Sequence, residues 1–230
     1  MTRTRVKICG ITRPDDLDAV LAAGADAVGF VFHPPSPRFV DRRRAAALVK
    51  RVPPFVARVG LFVNTEPATV AEVLATVPLD VLQFHGDEDA RYCEQFSKTY
   101  IKAARVAPGL NLVEFARTFA SAQGILLDAY VESYGGAGKT FDWSLVPESL
   151  PLPMVLSGGL TADNVGEAIR RVHPWAVDVS SGVESAKGIK EASEIAAFVG
   201  FADHSHLTHR FQTRFGVAPR SARRPPLSPL

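Results

Sequence analysis

The sequence predicts an α/β protein whose strands close into a (β/α)8 TIM barrel. Eight short apolar runs alternate with amphipathic segments along the chain, and the runs are apolar on both faces, as in a parallel sheet covered by helices. The chain has 230 residues, of which 47% are hydrophobic and 22% are charged, which is typical of a globular protein. An open doubly wound sheet uses the same alternation, but eight units in about 200 residues favour the closed barrel.

Each apolar run is rich in Val, Ile, Phe and Leu and is bounded by turn residues, which predicts a short strand. Because helical segments separate nearly all the runs, the strands are expected to pair in parallel through right-handed crossovers. The predicted strands are Val6–Cys9, Ala27–Phe32, Arg58–Val63, Val81–His85, Tyr100–Ala103, Gly124–Asp128, Met154–Ser157 and Ala176–Val179.

Several predicted helices have clear start and stop signals. Asp15–Ala23 lies between Pro14 and Gly24, while Asp41–Val52 and Glu66–Val77 each end at proline. The remaining predicted helices are Asp87–Ser97, Asn111–Ala122, Ala162–Val172 and Lys190–Val199. After the sixth strand, Val131–Leu152 is predicted to be a loop with one short helical piece near Trp143–Glu148. We therefore assign residues 1–199 to the barrel and residues 200–230 to a basic extension, partly helical and with a disordered end.

Composition excludes several classes of protein. No apolar run approaches the ~18–20 residues that span a bilayer, so we expect no membrane association. The sequence starts without the apolar stretch of a signal peptide, and two cysteines are too few for a disulfide scaffold, so we expect a cytoplasmic protein. The net charge of +2 is uneven, because residues 200–230 hold five arginines and one acid. The barrel segment has no basic footprint for nucleic acid.

Two reactive side chains stand where a barrel places its active site, at the carboxyl ends of strands. Cys9 ends the first strand, and a thiol there can act as a general base if its pKa is lowered. A small buried side chain is the ordinary alternative, and it suits Cys93 in a predicted helix. Asp128 directly follows three apolar residues of the sixth strand, so it is a candidate general acid, with a strand-end cap as the alternative.

Two further side chains are candidates for binding a ligand. Arg38 follows a loop with three prolines, which would hold its guanidinium as a fork for a carboxylate or phosphate. A surface arginine in a turn is the alternative. His85 ends the fourth strand, where it either lines the barrel mouth or is a hydrogen-bonded strand-end histidine.

The last two units predict a phosphate site. Glycines let backbone N–H groups approach a phosphate closely, and phosphate sites after strands seven and eight recur in barrels. The residues concerned are Gly158, Gly159, Ser180, Ser181 and Gly182. The GGAGKT segment at 135–140 lacks the spacer of a P-loop and is predicted to be a loop beside the ligand. Without HExxH, paired CxxC or GxGxxG motifs, the sequence implies neither a metal nor a dinucleotide cofactor.

Eight motifs together resemble one family. They are KICG at 7–10, GFVFHPPSPRFV at 29–40, GLFVN at 60–64, LQFHGDE at 82–88, LLDA at 126–129, GGAGKTFDW at 135–143, LSGGL at 156–160 and VDVSSGVE at 177–184. In order and spacing these resemble the phosphoribosylanthranilate isomerases of tryptophan biosynthesis. The resemblance covers residues 5–199.

This resemblance implies a cofactor-free Amadori rearrangement of N-(5-phosphoribosyl)anthranilate to 1-(2-carboxyphenylamino)-1-deoxyribulose 5-phosphate. By the same resemblance Cys9 is the general base, Asp128 the general acid and Arg38 the partner of the anthranilate carboxylate. Asp178 matches an acidic residue at the mouth of the eighth strand, and the glycine and serine turns match the phosphate site.

Other functions stay open from the sequence. One is another phosphosugar isomerase of tryptophan or histidine biosynthesis, although the related histidine-pathway enzyme is expected to use two aspartates rather than Cys9 and Asp128. An isomerase that accepts both substrates is a further alternative. In a different class, the chain could be a DNA-binding regulator with a ligand-sensing barrel.

The extension resembles the second helix-turn-helix of AraC-type regulators, with a turn at Gly200 and a second helix carrying Leu207, Phe211 and Phe215. AraC-type readers carry two such units and only one is present, so we do not expect it to bind DNA. The alternatives are a fusion, a reading-frame artefact, or a neutral appendage that packs Phe201, Leu207 and Phe211 on the barrel.

Overall fold

The structure, a computed structural model, describes residues 3–129 and 140–202 and confirms the (β/α)8 barrel. Eight parallel strands pair in sequential order, and β1 pairs with β8 to close the barrel. They are β1 (Arg5–Cys9), β2 (Ala27–Val31), β3 (Ala57–Phe62), β4 (Val81–Phe84), β5 (Tyr100–Val106), β6 (Gly124–Ala129), β7 (Met154–Leu156) and β8 (Ala176–Val179).

Helices follow all the strands except β6, after which the described residues contain only a 3-10 turn at Trp143–Leu145. The predicted positions of strands and helices are confirmed, with bounds that differ at some ends. The helices are α1 (Pro14–Ala22), α2 (Arg42–Val49), α3 (Pro67–Thr76), α4 (Ala90–Glu94), α5 (Leu112–Thr118), α6 (Ala162–Val172) and α7 (residues 192–202).

The fourth helix is shorter than the predicted Asp87–Ser97. It begins after Asp89, whose side chain accepts a hydrogen bond from Tyr92 N at 2.7 Å and so caps the helix. The preceding Glu88 is buried and belongs to the loop, where its carboxylate binds backbone N–H groups. The residues predicted to form the first helical turn therefore form a loop, which the buried Glu88 carboxylate holds in place.

A small hairpin lies where the sequence had predicted the start of the last helix. β9 (Glu184–Ala186) pairs antiparallel with β10 (Ile189–Lys190), and the helix starts only at residue 192. The Lys190 ammonium group is buried and donates to Ser180 O and Glu184 Oε1, each at 2.9 Å. These two bonds hold Lys190 in the hairpin and against the end of β8.

The turn expected at Gly200 is wrong, because α7 runs unbroken through this residue to residue 202. Phe201 is half exposed rather than packed on the barrel, whereas Ala202 is buried. The second helix expected for the extension falls in residues 203–230, outside the described part of the chain.

Residues 130–139, which contain most of the GGAGKT segment, also lie outside the described part of the chain. Within residues 3–129 and 140–202, no helix combines the length and apolar character needed to cross a membrane.

Inside the barrel, side chains from alternate positions form an apolar layer below a polar one. The apolar layer consists of Ala103, Leu126, Val155 and Ala176. Two residues further along β6 and β8 come Asp128 and Asp178, both buried. Since successive side chains of a strand point to opposite faces, this spacing carries both carboxyl groups to the carboxyl end of the barrel interior.

A buried ion pair outside the barrel interior fastens the loops after β3 and β4. Lys102 Nζ donates to Glu88 Oε2 at 2.9 Å and to Gly86 O at 2.7 Å. The Glu88 carboxylate in turn accepts from Asn64 N at 2.7 Å and Gly86 N at 2.9 Å. Both side chains of the pair are 2% exposed, so neither charge can regain solvent without local opening.

Replacing Lys102 by alanine is therefore expected to lower the free energy of unfolding by about 3–5 kcal/mol, because the Glu88 carboxylate would stay buried without its cation. Urea denaturation followed by circular dichroism measures this loss. Arg117→Ala is the control, since its pair with Glu114 is exposed and worth about 1 kcal/mol or less. A loss for Lys102→Ala no larger than that of the control would contradict the structural role of the pair.

Candidate active site

Side chains from β1, β4, β6 and β8 meet at the carboxyl end of the barrel interior. The strand period of two puts Lys7 and Cys9 on one inward face. The buried side chains gathered here include Lys7, Cys9, Gln83, His85, Asp128 and Asp178. The structure thus brings the predicted base Cys9, the predicted acid Asp128, and the candidates His85 and Asp178 to one end of one barrel.

The surroundings of Cys9 act on its thiol in opposite directions. Burial raises the pKa of Cys9, the charges of Lys7 and Lys190 lower it, and Asp178 raises it, so the pKa lies above its ordinary value. In the substrate-free protein the balance therefore favours the neutral thiol, with two cations placed to favour the thiolate.

Lys7 is held by Asp178, which lies opposite it across the β1–β8 pairing. Lys7 Nζ is 2.8 Å from Asp178 Oδ1, and both side chains are 6% exposed. Burial lowers the pKa of Lys7, but the charge of Asp178 and the hydrogen bond to it act the other way, and the pKa lies above its ordinary value. Lys7 thus remains a cation beside the thiol.

The glycine opposite Cys9 on β2 makes room for the sulfur. Gly29 is the register partner of Cys9, and a Cβ built on Gly29 would lie 2.7 Å from Cys9 Sγ. That is closer than real Cβ atoms approach a heavy atom. The other cysteine has no comparable setting: Cys93 lies in α4, packs in the outer core, and burial raises its pKa to about 12.

Asp128 lies within a chain of hydrogen bonds from β4. Its Oδ2 is 3.0 Å from His85 Nε2, and His85 Nδ1 is 2.9 Å from Gln83 Nε2. Asp128 Oδ1 accepts from Ala129 N at 2.9 Å. The predicted acid is thus held between the His85 ring and the backbone N–H of Ala129.

Arg38 is buried and is fixed by a carboxylate that sequence reasoning had not singled out. Its Nε and Nη2 donate to the two oxygens of Glu184, each at 2.7 Å. Burial alone raises the pKa of Glu184, but Arg38 and Lys190 outweigh it, so Glu184 stays ionised. Gly10, with φ +79°, packs beneath Arg38, since a Cβ there would lie 2.5 Å from Arg38 Cδ. The arginine is therefore held at the end of β1.

The two predicted phosphate-binding turns contact each other. Gly158 and Gly159 have φ values of +82° and +62°, which favour glycine. A Cβ on Gly158 would lie 2.6 Å from Ala129 N, so this turn also packs against Asp128. A Cβ on Gly182 would lie 1.9 Å from Leu160 O, which shows how closely the turn after β8 packs on the turn after β7.

Ser180 joins the turn after β8 to Cys9. Its Oγ donates to Cys9 O at 3.0 Å, and Lys190 Nζ donates to Ser180 O. Ser181 then opens a 3-10 turn, Ser181–Val183. The side chain of Ser180 is thus engaged with β1, which places the turn after β8 beside Cys9.

Four functional candidates were missed by sequence reasoning: Lys7, Gln83, Glu184 and Lys190. Lys7 and Gln83 had a signal, since each is a polar residue within an otherwise apolar strand. Glu184 and Lys190 had none, because only the β9–β10 hairpin brings them to Arg38 and Ser180.

The sequence is similar to a family model and to curated proteins that carry the same name. A family model described as N-(5'phosphoribosyl)anthranilate (PRA) isomerase matches residues 6–200. The N-(5'-phosphoribosyl)anthranilate isomerase of Dechloromonas aromatica (strain RCB) is 66% identical over 197 residues, covering 86% of this chain and 95% of the relative. That of Methylibium petroleiphilum is 58% identical over 196 residues, covering 85% and 92%.

Solved structures agree with the sequence relatives. Phosphoribosyl anthranilate isomerase from Thermotoga maritima superposes with a TM-score of 0.77 at 44% identity, covering 86% of this chain and 98% of that one. A structure of the isomerase in complex with reduced 1-(o-carboxyphenylamino)-1-deoxyribulose 5-phosphate gives a TM-score of 0.74 at 41% identity, with the same coverage. The chain described here belongs to the N-(5'-phosphoribosyl)anthranilate isomerase family.

Proposed function

We propose that this chain converts N-(5-phosphoribosyl)anthranilate to 1-(2-carboxyphenylamino)-1-deoxyribulose 5-phosphate, with Asp128 as general acid and Cys9 as general base. The observation that supports this most is the placement of both groups at the carboxyl ends of β6 and β1, inside a barrel of the isomerase family. On the shorter way round the closed barrel, two strands, β7 and β8, stand between β6 and β1. A sugar can therefore lie between Asp128 and Cys9.

The first step is opening of the ribose ring. Asp128 gives its proton to the ring oxygen, the bond from that oxygen to C1' breaks, and the nitrogen lone pair forms a C=N⁺ bond. The carboxylate left on Asp128 accepts hydrogen bonds from His85 and Ala129 N, which stabilise the negative charge. These two donors are already in place before the charge develops, as electrostatic preorganisation requires.

The second step is removal of the proton from C2'. The cationic nitrogen acidifies this carbon, and the Cys9 thiolate takes the proton as the C–H electron pair forms the C1'=C2' bond and neutralises the nitrogen. The resulting enolamine becomes the ketone when its hydroxyl loses a proton and C1' gains one, so the net composition is unchanged. Lys7, Lys190 and the substrate cation all favour the thiolate against the effect of burial.

Binding of the two anionic ends of the substrate is assigned to opposite parts of the mouth. Glu184 uses two of the five N–H donors of Arg38, and the remaining donors are proposed to receive the anthranilate carboxylate. The turns with Gly158, Gly159, Ser181 and Gly182 are proposed to receive the phosphate. Asp178, anchored by Lys7, is proposed to contact a ribose hydroxyl.

Removing either reacting group is expected to lower kcat by at least ~10²-fold while the fold persists, which is the usual weight of general acid–base catalysis. The variants are Cys9→Ala and Asp128→Asn, and the assay follows the fluorescence of freshly generated phosphoribosylanthranilate as it is consumed. Cys93→Ala is the matched control, because this second buried cysteine lies in α4. A kcat near that of the control would contradict the assignment of Cys9 as base or of Asp128 as acid, depending on the variant that shows it.

Arg38→Ala is expected mainly to raise KM, because a carboxylate contact made equally in ground and transition states contributes to binding alone. Steady-state kinetics over a range of substrate concentrations separates KM from kcat. Arg42→Ala, which removes only an exposed ion pair with Glu72, serves as the control. An unchanged KM in Arg38→Ala would argue against contact with the substrate carboxylate.

Lys7→Met is expected to shift the rising limb of the kcat/KM pH profile to higher pH. A base must be deprotonated to act, and Lys7 lowers the pKa of Cys9, so its loss raises the pH at which thiolate forms. The control is Lys98→Met, since Lys98 binds Leu79 O away from the site. A limb that stays in place or moves to lower pH would exclude Lys7 as the activating cation.

A further inference from the structure

We propose that Gln83 is a positioning residue that keeps His85 a neutral imidazole, so that His85 supports Asp128 without depriving it of its proton. This inference rests on the proposed function, since it needs Asp128 to be the acid. It concerns a residue that does not itself reach the reacting atoms but acts through its neighbour.

The three side chains form one buried line. Gln83, His85 and Asp128 are 0%, 6% and 7% exposed, and the two hydrogen bonds that join them measure 2.9 and 3.0 Å. Gln83 lies in β4 and His85 directly follows it, with His85 N still donating to Phe62 O of β3, so the strand period points both side chains to the same face. Hydrogen bonds in such a setting are stronger than in water.

The orientation of the amide determines where the ring carries its proton. Gln83 presents its amide nitrogen to His85 Nδ1, and an amide nitrogen can only donate. Nδ1 must therefore accept, which leaves the ring proton on Nε2, facing Asp128 Oδ2. A second proton on Nδ1 would point directly at the amide hydrogens, so this contact disfavours the imidazolium.

A neutral ring matters because an imidazolium would pair with an ionised Asp128. A carboxylate held in that ion pair has no proton to give to the ribose ring. A neutral His85 with its proton on Nε2 can instead lie beside a protonated Asp128. The same N–H stabilises the Asp128 carboxylate once the proton has been transferred. The Gln83 amide thus keeps His85 in the neutral form, which is compatible with Asp128 acting as a general acid.

The amide keeps this orientation at the expense of its own oxygen. Gln83 Oε1 is buried and has no hydrogen-bond partner among the described residues. Turning the amide would give this oxygen a partner only if Nδ1 carried a proton. Buried polar atoms are rarely left unpaired without a reason, and presenting a donor to Nδ1 supplies one here.

Other charges near this end of β4 are paired elsewhere. Glu88 pairs with Lys102, and Asp87 pairs with Arg105. The groups that face the His85 ring nitrogens are therefore Gln83 on one side and Asp128 on the other. This makes the protonation of His85 responsive to a change at residue 83.

Gln83→Glu tests the proposal, because it keeps the shape of the side chain and replaces the donor at Nδ1 by an acceptor. We expect kcat to fall about 10- to 100-fold, the weight of one hydrogen bond to a charged group, with KM within about twofold of wild type. In ¹⁵N NMR of the substrate-free protein at neutral pH, wild-type His85 should show a bare Nδ1 and a protonated Nε2. The variant should show both nitrogens protonated.

Gln95→Glu is the matched control, since Gln95 is exposed at the end of α4 and should change neither readout. If Gln83→Glu does not fold, Gln83→Met removes the donor without adding an acceptor and should shift kcat in the same direction. A doubly protonated His85 in wild type, or a change in only one of the two readouts in the variant, would overturn the proposal.

A double variant separates this inference from the proposed function. In an Asp128→Asn background, Gln83→Glu should cause no further loss of kcat, because Gln83 acts through Asp128. Full additivity of the two losses would overturn the role of Gln83 and leave the acid in place. Normal turnover in Asp128→Asn alone would instead overturn the assignment of the acid, whatever the NMR spectra of His85 show.

Discussion

The barrel closes where β1 meets β8, and the ion pair between Lys7 and Asp178 spans this seam in the interior. Burying two charges costs several kcal/mol per ion, which a single contact between them does not always offset. What the pair contributes to function is a cation fixed beside the Cys9 sulfur. One contact thus links closure of the sheet to the electrostatics of the proposed base. The turn after β8, which is proposed to bind phosphate, is tied to the same strand through Ser180.

The two sides of the mouth surround Cys9, the proposed base, and Asp128, the proposed acid, with different groups. Near Cys9 the cations Lys7 and Lys190 favour a thiolate, against the effects of burial and of Asp178. Near Asp128 the neighbours are the His85 ring and the Ala129 backbone N–H. Arg38 and Glu184 stand at the same end as a pair whose charges largely compensate.

Sequence periodicity was sufficient to predict the fold and to name the strand ends that form the candidate site. Apolar runs with proline and glycine boundaries indicated eight units, and the strand-end positions of Cys9 and Asp128 followed from them. The partners of these residues could not be predicted, because Lys7 and Asp178 are 171 residues apart and meet only through barrel closure. The hairpin that joins Lys190 to Arg38 through Glu184, and the burial of Glu88 that shortens α4, depend on tertiary contacts that no local pattern reports. Gly200 suggested a turn, but it lies within the continuous helix α7.

The most direct measurement of the proposed chemistry is a crystal structure of this protein with reduced 1-(o-carboxyphenylamino)-1-deoxyribulose 5-phosphate bound. We expect Cys9 Sγ within roughly 3.5 Å of the ligand carbon C2', and an Asp128 oxygen about 2.6–3.2 Å from the hydroxyl that derives from the ring oxygen. The ligand should lie between the two groups, with its phosphate on the turns after β7 and β8. A ligand bound with its phosphate elsewhere, or with either side chain beyond reach of these atoms, would contradict the assignment of base and acid.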